Sequence, residues 1–153
     1  MNDAAQSLPT DITPEQGELK SSAMMSLIGA AHAVEDQIEN ALSTHGLSMA
    51  KLGVLTKLVE AGGPLTLGEI AAQLRCVRSN ITQLVDRLET DELVRRIDDA
   101  SDRRSIRAEL TQEGRTRQAA GTQSLEEVQA GFLKSLGNSL EQSILVQLLN
   151  RVG

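Results

Sequence analysis

The clearest hydrophobic pattern of the chain lies within residues 66–111 and begins with a short helical stripe. The stripe consists of Ile70, Ala71 and Leu74. Thr66 and Glu69 precede it at the spacing of a capping box, in which each side chain binds the backbone amide of the other, so a helix is predicted to begin here. A second set of apolar residues recurs at i, i+3, i+4 and i+7, which is one inward face of a second helix. This set is Ile81, Leu84, Val85 and Leu88.

An alternating pattern after the second stripe predicts a two-stranded β-hairpin. The first strand covers residues 93–97, and apolar residues alternate with Arg107 and Glu109 in the second. The apolar residues of the second strand are Ile106, Ala108 and Leu110. The loop DDASDRRS between the strands carries Arg103 and Arg104. A helix, a tight turn, a second helix and a hairpin in this order predict a winged helix-turn-helix, a fold that usually binds duplex DNA.

The N-terminal part of the chain is predicted to be an arm followed by a long helix. Residues 1–17 are polar, contain two prolines and show no period, so we expect a disordered or loosely attached arm. A near-heptad apolar stripe then predicts a helix over residues 18–42. Its members are Met24, Leu27, Ala31, Val34, Ile38 and Ala41. Because nothing earlier in the chain offers this helix a packing surface, the stripe favours a partner chain over packing within the subunit.

Three further helices complete the predicted set. One covers residues 49–60, and another begins after Thr111 and runs to residue 136. The last helix covers residues 139–151 and is predicted to open with the pair Ser139–Gln142 as its cap. This last helix is apolar around much of its circumference, so burying its apolar surface needs more packing partners than one small subunit provides. The pattern therefore favours an obligate homodimer.

Together these elements predict a mostly α fold with a small β-wing, a winged helix-turn-helix with long N- and C-terminal dimerisation helices. The predicted division is an arm over residues 1–17, a dimerisation helix over residues 18–47 and a DNA-binding domain over residues 48–111. Residues 112–153 form the C-terminal dimerisation helices in this scheme.

The outward face of the second predicted helix carries polar side chains that can read DNA bases. At about 100° per residue, Ser79 and Gln83 point away from the apolar face, and Asn80 lies along one edge. Arg78 lies in the first turn. Hydrogen-bonding side chains near the N-terminus of such a helix suit its insertion into a major groove.

The sequence resembles the MarR-type (multiple antibiotic resistance) transcriptional regulators. The resemblance rests on RSNITQLVDRLETDELVRRIDDASDRRSIRAELTQEG, residues 78–114, in which SDRRS is followed by LTQEG at a specific spacing. The run GGPLTLGEIAAQL is similar to the start of the same domain, and the resemblance covers nearly all of the chain after its first twenty or so residues. The chain departs from the family in the helix-turn-helix turn. It has Arg75 where the family usually has glycine, and Val77 where the family usually has a capping serine.

The resemblance implies a homodimer in which the first helix and the last two interlock across a twofold axis. Two recognition helices then meet successive major grooves about 34 Å apart, so the expected partner is double-stranded DNA with a pseudo-palindromic site. Members of the family are most often repressors, and many release DNA when a small anionic or phenolic effector binds. No cofactor is expected.

The helix pattern and the resemblance assign a role to each candidate site residue. Residues expected to contact bases are Arg78, Ser79, Asn80 and Gln83. The wing arginines Arg103 and Arg104 are expected to enter the minor groove, where guanidinium groups are favoured, with Asp102 orienting them through an ion pair. Residues expected to contact phosphates are Thr66, Thr82, Arg87 and Arg95.

Charge distribution supports this assignment although the whole chain is acidic. The net charge is −6, yet residues 75–107 hold eight arginines and seven acidic residues, a net charge of +1. The rest of the chain therefore carries −7, which would discourage non-specific binding to polyanions. No apolar run approaches the roughly 20 residues of a membrane span. Without a signal-peptide pattern, and with a single cysteine, the chain is expected to be cytoplasmic.

Other chemistry is weakly indicated. His32 and His45 are far from the single cysteine in sequence, so a metal site is not expected. Cys76 falls in the helix-turn-helix turn, where the resembled family has a buried apolar residue, so the resemblance implies buried packing, and a redox switch is the alternative. Asp98 and Asp99 are expected to form the wing turn. No catalytic motif is present, so an enzyme is not expected, and a winged helix that binds proteins instead of DNA stays open as an alternative.

Overall fold

The winged helix fold is present, with six helices and three strands in the described part of the chain. The computed structural model describes residues 16–99 and 105–151. The helices are α1 (Gln16–Ser43), α2 (Met49–Ala61), α3 (Leu67–Gln73), α4 (Arg78–Thr90), α5 (Gln112–Ser135) and α6 (Ser139–Leu149). The strands are β1 (Leu65–Thr66), β2 (Val94–Asp98) and β3 (Ile106–Leu110). Among these residues, no helix combines the length and the apolar character needed to cross a membrane.

Helix boundaries follow the capping residues. The Ser48 hydroxyl accepts a hydrogen bond from the Lys51 amide at the start of α2, and Gly62 ends that helix in the left-handed conformation with φ 66°. Thr111 caps α5 by accepting from the Gly114 amide at 2.9 Å, as predicted. The predicted N-terminal arm lies outside the described residues, except that Gln16 and Gly17 begin α1.

The cap of α6 differs from the predicted one by one residue. Asn138, not Ser139, is the N-cap, and its side chain accepts from the Glu141 amide at 3.2 Å. Glu141 in turn accepts from the Asn138 amide at 2.8 Å, which completes a capping box. The predicted pair Ser139–Gln142 was wrong because Gly137, at φ 82°, turns the chain so that Asn138 takes the extended cap conformation.

The wing sheet has three strands in the order β1-β3-β2, not the two predicted. Leu65 pairs with Ala108 and Thr66 pairs with Arg107, so β1 covers the outer edge of β3. Two residues are too short to show the alternation that marks a strand in a sequence, and only the pairing reveals β1. The first hairpin strand begins one residue later than predicted, because the Leu93 amide still donates to the Leu88 carbonyl at the end of α4.

One apolar core fills the winged helix domain. The predicted inward residues of α3 and α4 are buried or packed against the core. They are Ile70, Ala71, Ile81, Val85 and Leu88 in full and Leu74 and Leu84 in part. In α2, Val54 and Leu58 lie in the core, whereas Val59 is only half-buried. Burial of one such aliphatic side chain stabilises the fold by about 1.5–3 kcal/mol, which holds α4 on α2, α3 and the sheet.

Two terminal surfaces remain apolar and exposed. The chain divides into two units, residues 1–35 and residues 36–153. In the first unit, α1 exposes Met24, Met25, Leu27 and Ile28. In the second unit, α6 exposes Leu140, Ile144, Val146, Leu148 and Leu149. Large apolar side chains exposed together on one helix are typical of an interaction surface.

Candidate nucleic-acid interface

The α3 capping box fixes the start of the helix-turn-helix. The Glu69 amide donates to the Thr66 hydroxyl at 3.1 Å, and the Thr66 amide donates to the Glu69 carboxylate at 2.7 Å, as predicted. The bond from the Thr66 amide lowers the pKa of Glu69, and the Thr66 side chain and the Arg107 charge act in the same direction. Because the folded pKa lies below the unfolded one, this stabilisation is present at neutral pH and is lost as the pH falls through the folded value.

The turn between α3 and α4 contains a strained residue at Arg75. Its φ of 52° is the left-handed conformation, in which a side chain costs roughly 1–2 kcal/mol. The Cys76 amide then donates to the Ala71 carbonyl at 3.0 Å and closes the turn. A glycine would adopt this φ without strain. Arg75 therefore lowers the stability of the fold relative to the glycine that the family usually has at this position.

Helix α4 begins without a side-chain cap. Val77 occupies the N-cap position with extended backbone angles and makes no capping hydrogen bond. Its carbonyl accepts from the amides of Asn80 and Ile81, but the amides of the first turn receive no side-chain acceptor. Since the Val77 side chain is 63% exposed, it contributes little packing in exchange.

Val77→Ser is expected to stabilise the protein by about 0.5–2 kcal/mol, because a serine hydroxyl can accept from the free amides of the first turn of α4. The measurement is thermal unfolding at fixed protein concentration, with Val77→Ala as the control that shortens the side chain without adding an acceptor. A serine variant no more stable than the alanine variant would contradict the expected capping bond.

The outward face of α4 presents its polar side chains to solvent. The four predicted base-contacting residues Arg78, Ser79, Asn80 and Gln83 are all exposed. None of their side chains has a hydrogen bond or an ion pair with any residue that the structure describes. This face is therefore free to exchange its hydrogen bonds with water for bonds to a ligand.

The predicted phosphate-contacting residues surround this face but differ in their availability. Arg87 is exposed and has no ion pair within the described ranges. The Thr82 hydroxyl already donates to the Arg78 carbonyl at 3.1 Å, and the Thr66 hydroxyl serves as the α3 cap. Arg95 pairs with Glu109 on the neighbouring strand, although 69% of its side chain stays exposed. The other predicted wing residues, Asp102, Arg103 and Arg104, lie outside the described residues.

Arg96 joins the wing to α4, a role that the sequence pattern did not reveal. Its guanidinium lies 2.5 Å from the Asp86 carboxylate and 3.4 Å from the Glu89 carboxylate. It also donates to the Thr82 carbonyl at 3.4 Å, and the Arg96 backbone amide donates to Glu89 at 3.1 Å. All of these partners lie on α4, whereas Arg96 lies on β2.

Arg107 holds the base of the wing together. Its Nε donates to the Asp99 carboxylate at 2.8 Å, and its Nη1 donates to the Pro64 carbonyl at 3.1 Å and lies 3.7 Å from Glu69. Asp99 is buried, and its amide donates to the Ser105 carbonyl at 3.1 Å. Asp98 ends β2, and Asp99 anchors Arg107, a role that the prediction of a wing turn did not include.

Cys76 is exposed, which corrects the prediction of buried packing. Ile70 and Ala71 of α3 fill the core, whereas Cys76 comes after the left-handed residue Arg75 in the turn and its side chain lies in solvent. The thiol donates to the Leu74 carbonyl at 3.4 Å, a local contact within the turn. No group of three or more His, Cys, Asp and Glu side chains that could hold a metal ion exists within residues 16–99 and 105–151.

Comparison with known proteins gives consistent results in sequence and in structure. A family model described as MarR family matches residues 47–106. The HTH-type transcriptional regulator PrsX of Escherichia coli is 31% identical over 131 residues, which cover 84% of this chain and 76% of that protein. The HTH-type transcriptional repressor MdtR of Bacillus subtilis is 32% identical over 97 residues, which cover 63% of this chain and 62% of that protein.

A solved structure extends the similarity to the whole fold. The crystal structure of Sco3205, a MarR family transcriptional regulator from Streptomyces coelicolor in complex with DNA, is 26% identical and superimposes with a TM-score of 0.73. The match covers 95% of this chain and 89% of that chain.

Proposed function

Because the chain belongs to the MarR family of transcriptional regulators, we propose that two copies of it form a homodimer that binds a pseudo-palindromic site in double-stranded DNA and represses transcription there. Each copy places α4 in a major groove and its wing in the adjacent minor groove. Repression is the direction that the name of the MdtR relative supports.

The observation that carries this proposal is the unpartnered polar face of α4. Asn80 and Gln83 carry the amide side chains that bind adenine through two hydrogen bonds, and Arg78 can bind guanine in the same way. Ser79 can donate to or accept from either kind of base. Side chains that already had protein partners would have to break those bonds first, and these four do not.

Phosphate contacts position the dimer on the duplex without specifying its sequence. Arg87 is exposed beside the reading face, and Arg95 keeps most of its side chain in solvent while paired with Glu109. Thr66 and Thr82 can accept or donate one further bond each. Arg103 and Arg104 enter the minor groove, with Asp102 as their orienting partner, in the same proposal.

The exposed apolar residues of α1 and α6 support the homodimer. Two chains that bury these faces against each other remove surface that would otherwise cause aggregation. A twofold dimer also explains why one short recognition helix is sufficient, since the second copy doubles the contacts along the DNA. Release by a small anionic or phenolic effector belongs to the same proposal, and a thermal-shift screen with aromatic acids tests for such a ligand.

The deciding experiment measures binding to a duplex from the promoter region of the protein's own gene, with random duplex as competitor. Log affinity is expected to fall linearly with log salt, at a slope of about −0.9 for each phosphate contacted. A preference for the promoter duplex supports a sequence-specific regulator. No binding to either duplex overturns the proposal and favours a winged helix that binds protein. A monomer at micromolar concentration in light scattering contradicts the proposed homodimer and its twofold arrangement on DNA.

Arg103→Ala is expected to weaken binding to the promoter duplex by roughly tenfold, because a guanidinium in the narrow minor groove is favoured by its negative potential. Arg117→Ala is the matched control, since Arg117 lies on α5 and pairs with Glu113 there. Light scattering checks that both variants stay dimeric. If Arg103→Ala binds as tightly as the parent, the minor-groove role of the wing is wrong.

A further inference from the structure

Arg96 connects the two parts of the domain that the proposed function uses for DNA. Its partners Thr82, Asp86 and Glu89 lie at i, i+4 and i+7 on α4, which places them along one face of that helix. The inward face is buried in the core, and the reading face carries Ser79 and Gln83. Arg96 therefore holds the side of α4 that borders the reading face, since Asp86 lies seven residues after Ser79, and that side is turned toward β2.

We propose that Arg96 is a positioning residue that fixes the orientation of α4 relative to the wing, so that the major-groove and minor-groove contacts form together. This proposal rests on the proposed function. Arg96 touches no base or phosphate in it. It determines instead whether the side chains of α4 meet the base edges at the right place.

The geometry of the contacts gives Arg96 this capacity. Residues seven apart on a helix are separated by about 10.5 Å along its axis. The contacts of Arg96 with Thr82 and Glu89 therefore hold α4 at points two turns apart. A planar guanidinium with several fixed donors resists both rotation and sliding of the helix, whereas a lysine ammonium offers only a point charge. The Arg96 Nε is buried and has no hydrogen-bond partner among the described residues, so the other contacts determine where the group lies.

A second effect of Arg96 must be separated from positioning. Asp86 and Glu89 are carboxylates on the helix that approaches a polyanion, and the Arg96 charge offsets part of their repulsion. Screening of charge alone would change affinity for every duplex by a similar factor. Positioning instead changes the preference for the correct sequence, because base contacts carry specificity and phosphate contacts do not.

The stability of the fold cannot serve as the readout. Asp86 is 52% exposed and Arg96 is 26% exposed, and ion pairs at such partly exposed sites contribute little to the free energy of unfolding. Recognition of bases is more demanding, since paired hydrogen bonds require both partners to lie within tight limits of distance and angle. We therefore expect a small change in unfolding temperature to accompany a large change in sequence preference.

The test compares Arg96→Lys, Asp86→Asn and the parent dimer on a promoter duplex and on a random duplex at one salt concentration. Arg96→Lys keeps the charge, so its affinity for random duplex should stay within about twofold of the parent value. Its preference for the promoter duplex should fall by roughly tenfold. Arg117→Gln is the matched control, because it removes an arginine ion pair on α5 and should leave the preference unchanged.

Asp86→Asn separates the two effects, because it removes the main anchor of Arg96 and a negative charge at the same time. Positioning predicts a lower preference for the promoter duplex in this variant, in the same direction as Arg96→Lys. Screening predicts tighter binding to both duplexes with the preference unchanged, and that result overturns the proposal. An Arg96→Lys dimer with the parent's preference also overturns it. A parent that shows no preference at all refutes the proposed function itself, and the role of Arg96 with it.

Discussion

Gly114→Ala is expected to lower the free energy of unfolding by about 2–4 kcal/mol, although alanine is the best helix-forming residue. Gly114 lies in the first turn of α5, where the helix passes directly over the start of the wing. A Cβ added there would overlap the Leu93 carbonyl oxygen and would lie 2.9 Å from both the Leu93 carbonyl carbon and Leu110 Cδ1. The better helix propensity contributes only about 1 kcal/mol in the opposite direction.

The Leu93 carbonyl cannot move aside without further loss. It accepts from the Thr111 amide at 3.1 Å and from the Thr111 hydroxyl at 3.0 Å. The same hydroxyl caps α5 through the Gly114 amide, so displacement of Gly114 disturbs the cap as well. The overlap is with a backbone carbonyl that accepts two hydrogen bonds from Thr111, so a change of side-chain rotamer does not relieve it.

Gly131→Ala is the matched control on the same helix. A Cβ at Gly131 meets no atom within 4 Å, so this variant should be as stable as the parent or more stable by up to about 1 kcal/mol. Thermal unfolding at equal protein concentration should show a fall on the order of 10 °C for Gly114→Ala and no fall for Gly131→Ala. Equal unfolding temperatures for the two variants would contradict the close contact between Gly114 and the Leu93 carbonyl.

Local signals in the sequence were sufficient for most of the helical framework. The Thr66–Glu69 capping box and the stripe through Ile81, Val85 and Leu88 depend on residues within two turns of each other, and both are present in the structure. Thr111 likewise caps α5 through an amide three residues away. Interactions between residues within two helical turns of each other can be predicted directly from the spacing of those residues in the sequence.

Features that depend on tertiary geometry were missed or misplaced. Strand β1 exists only because the free edge of β3 passes beside residues 65–66. Cys76 was expected to be buried because the resembled family has a buried apolar residue there, and no local pattern shows the left-handed backbone at Arg75 that precedes the exposed cysteine. Two overlapping capping patterns begin at Asn138 and Ser139, and only the conformation of Gly137 selects the first.

The arginines of the domain illustrate the same limit. The sequence identified a concentration of positive charge between residues 75 and 107, and it could not divide these arginines by role. Arg96 and Arg107 turn inward to carboxylates on α4 and on the wing, whereas Arg78 and Arg87 stay in solvent. An ion pair between residues about ten positions apart forms only in the folded chain. No local sequence pattern therefore distinguishes an arginine that pairs with a carboxylate from one that stays exposed.

The double variant Asn80→Ala/Gln83→Ala is expected to lose roughly 100-fold in affinity for the promoter duplex, because each amide that binds a base contributes about 1–3 kcal/mol of discrimination. Affinity for random duplex should change little, since phosphate contacts carry it. Both side chains are exposed and lack partners among the described residues, so the variant should unfold within about 2 °C of the parent.

A control for this prediction is Gln123→Ala, which removes an exposed amide that bonds to Glu127 on α5 and should leave both affinities unchanged. The measurement is fluorescence anisotropy with both duplexes across a salt series. If the double variant loses the same factor on random duplex as on promoter duplex, the two amides contact the backbone and not the bases. If it retains the parent's affinity for the promoter, another face of α4 must read the sequence, and Arg96, which orients this one, would have no role in recognition.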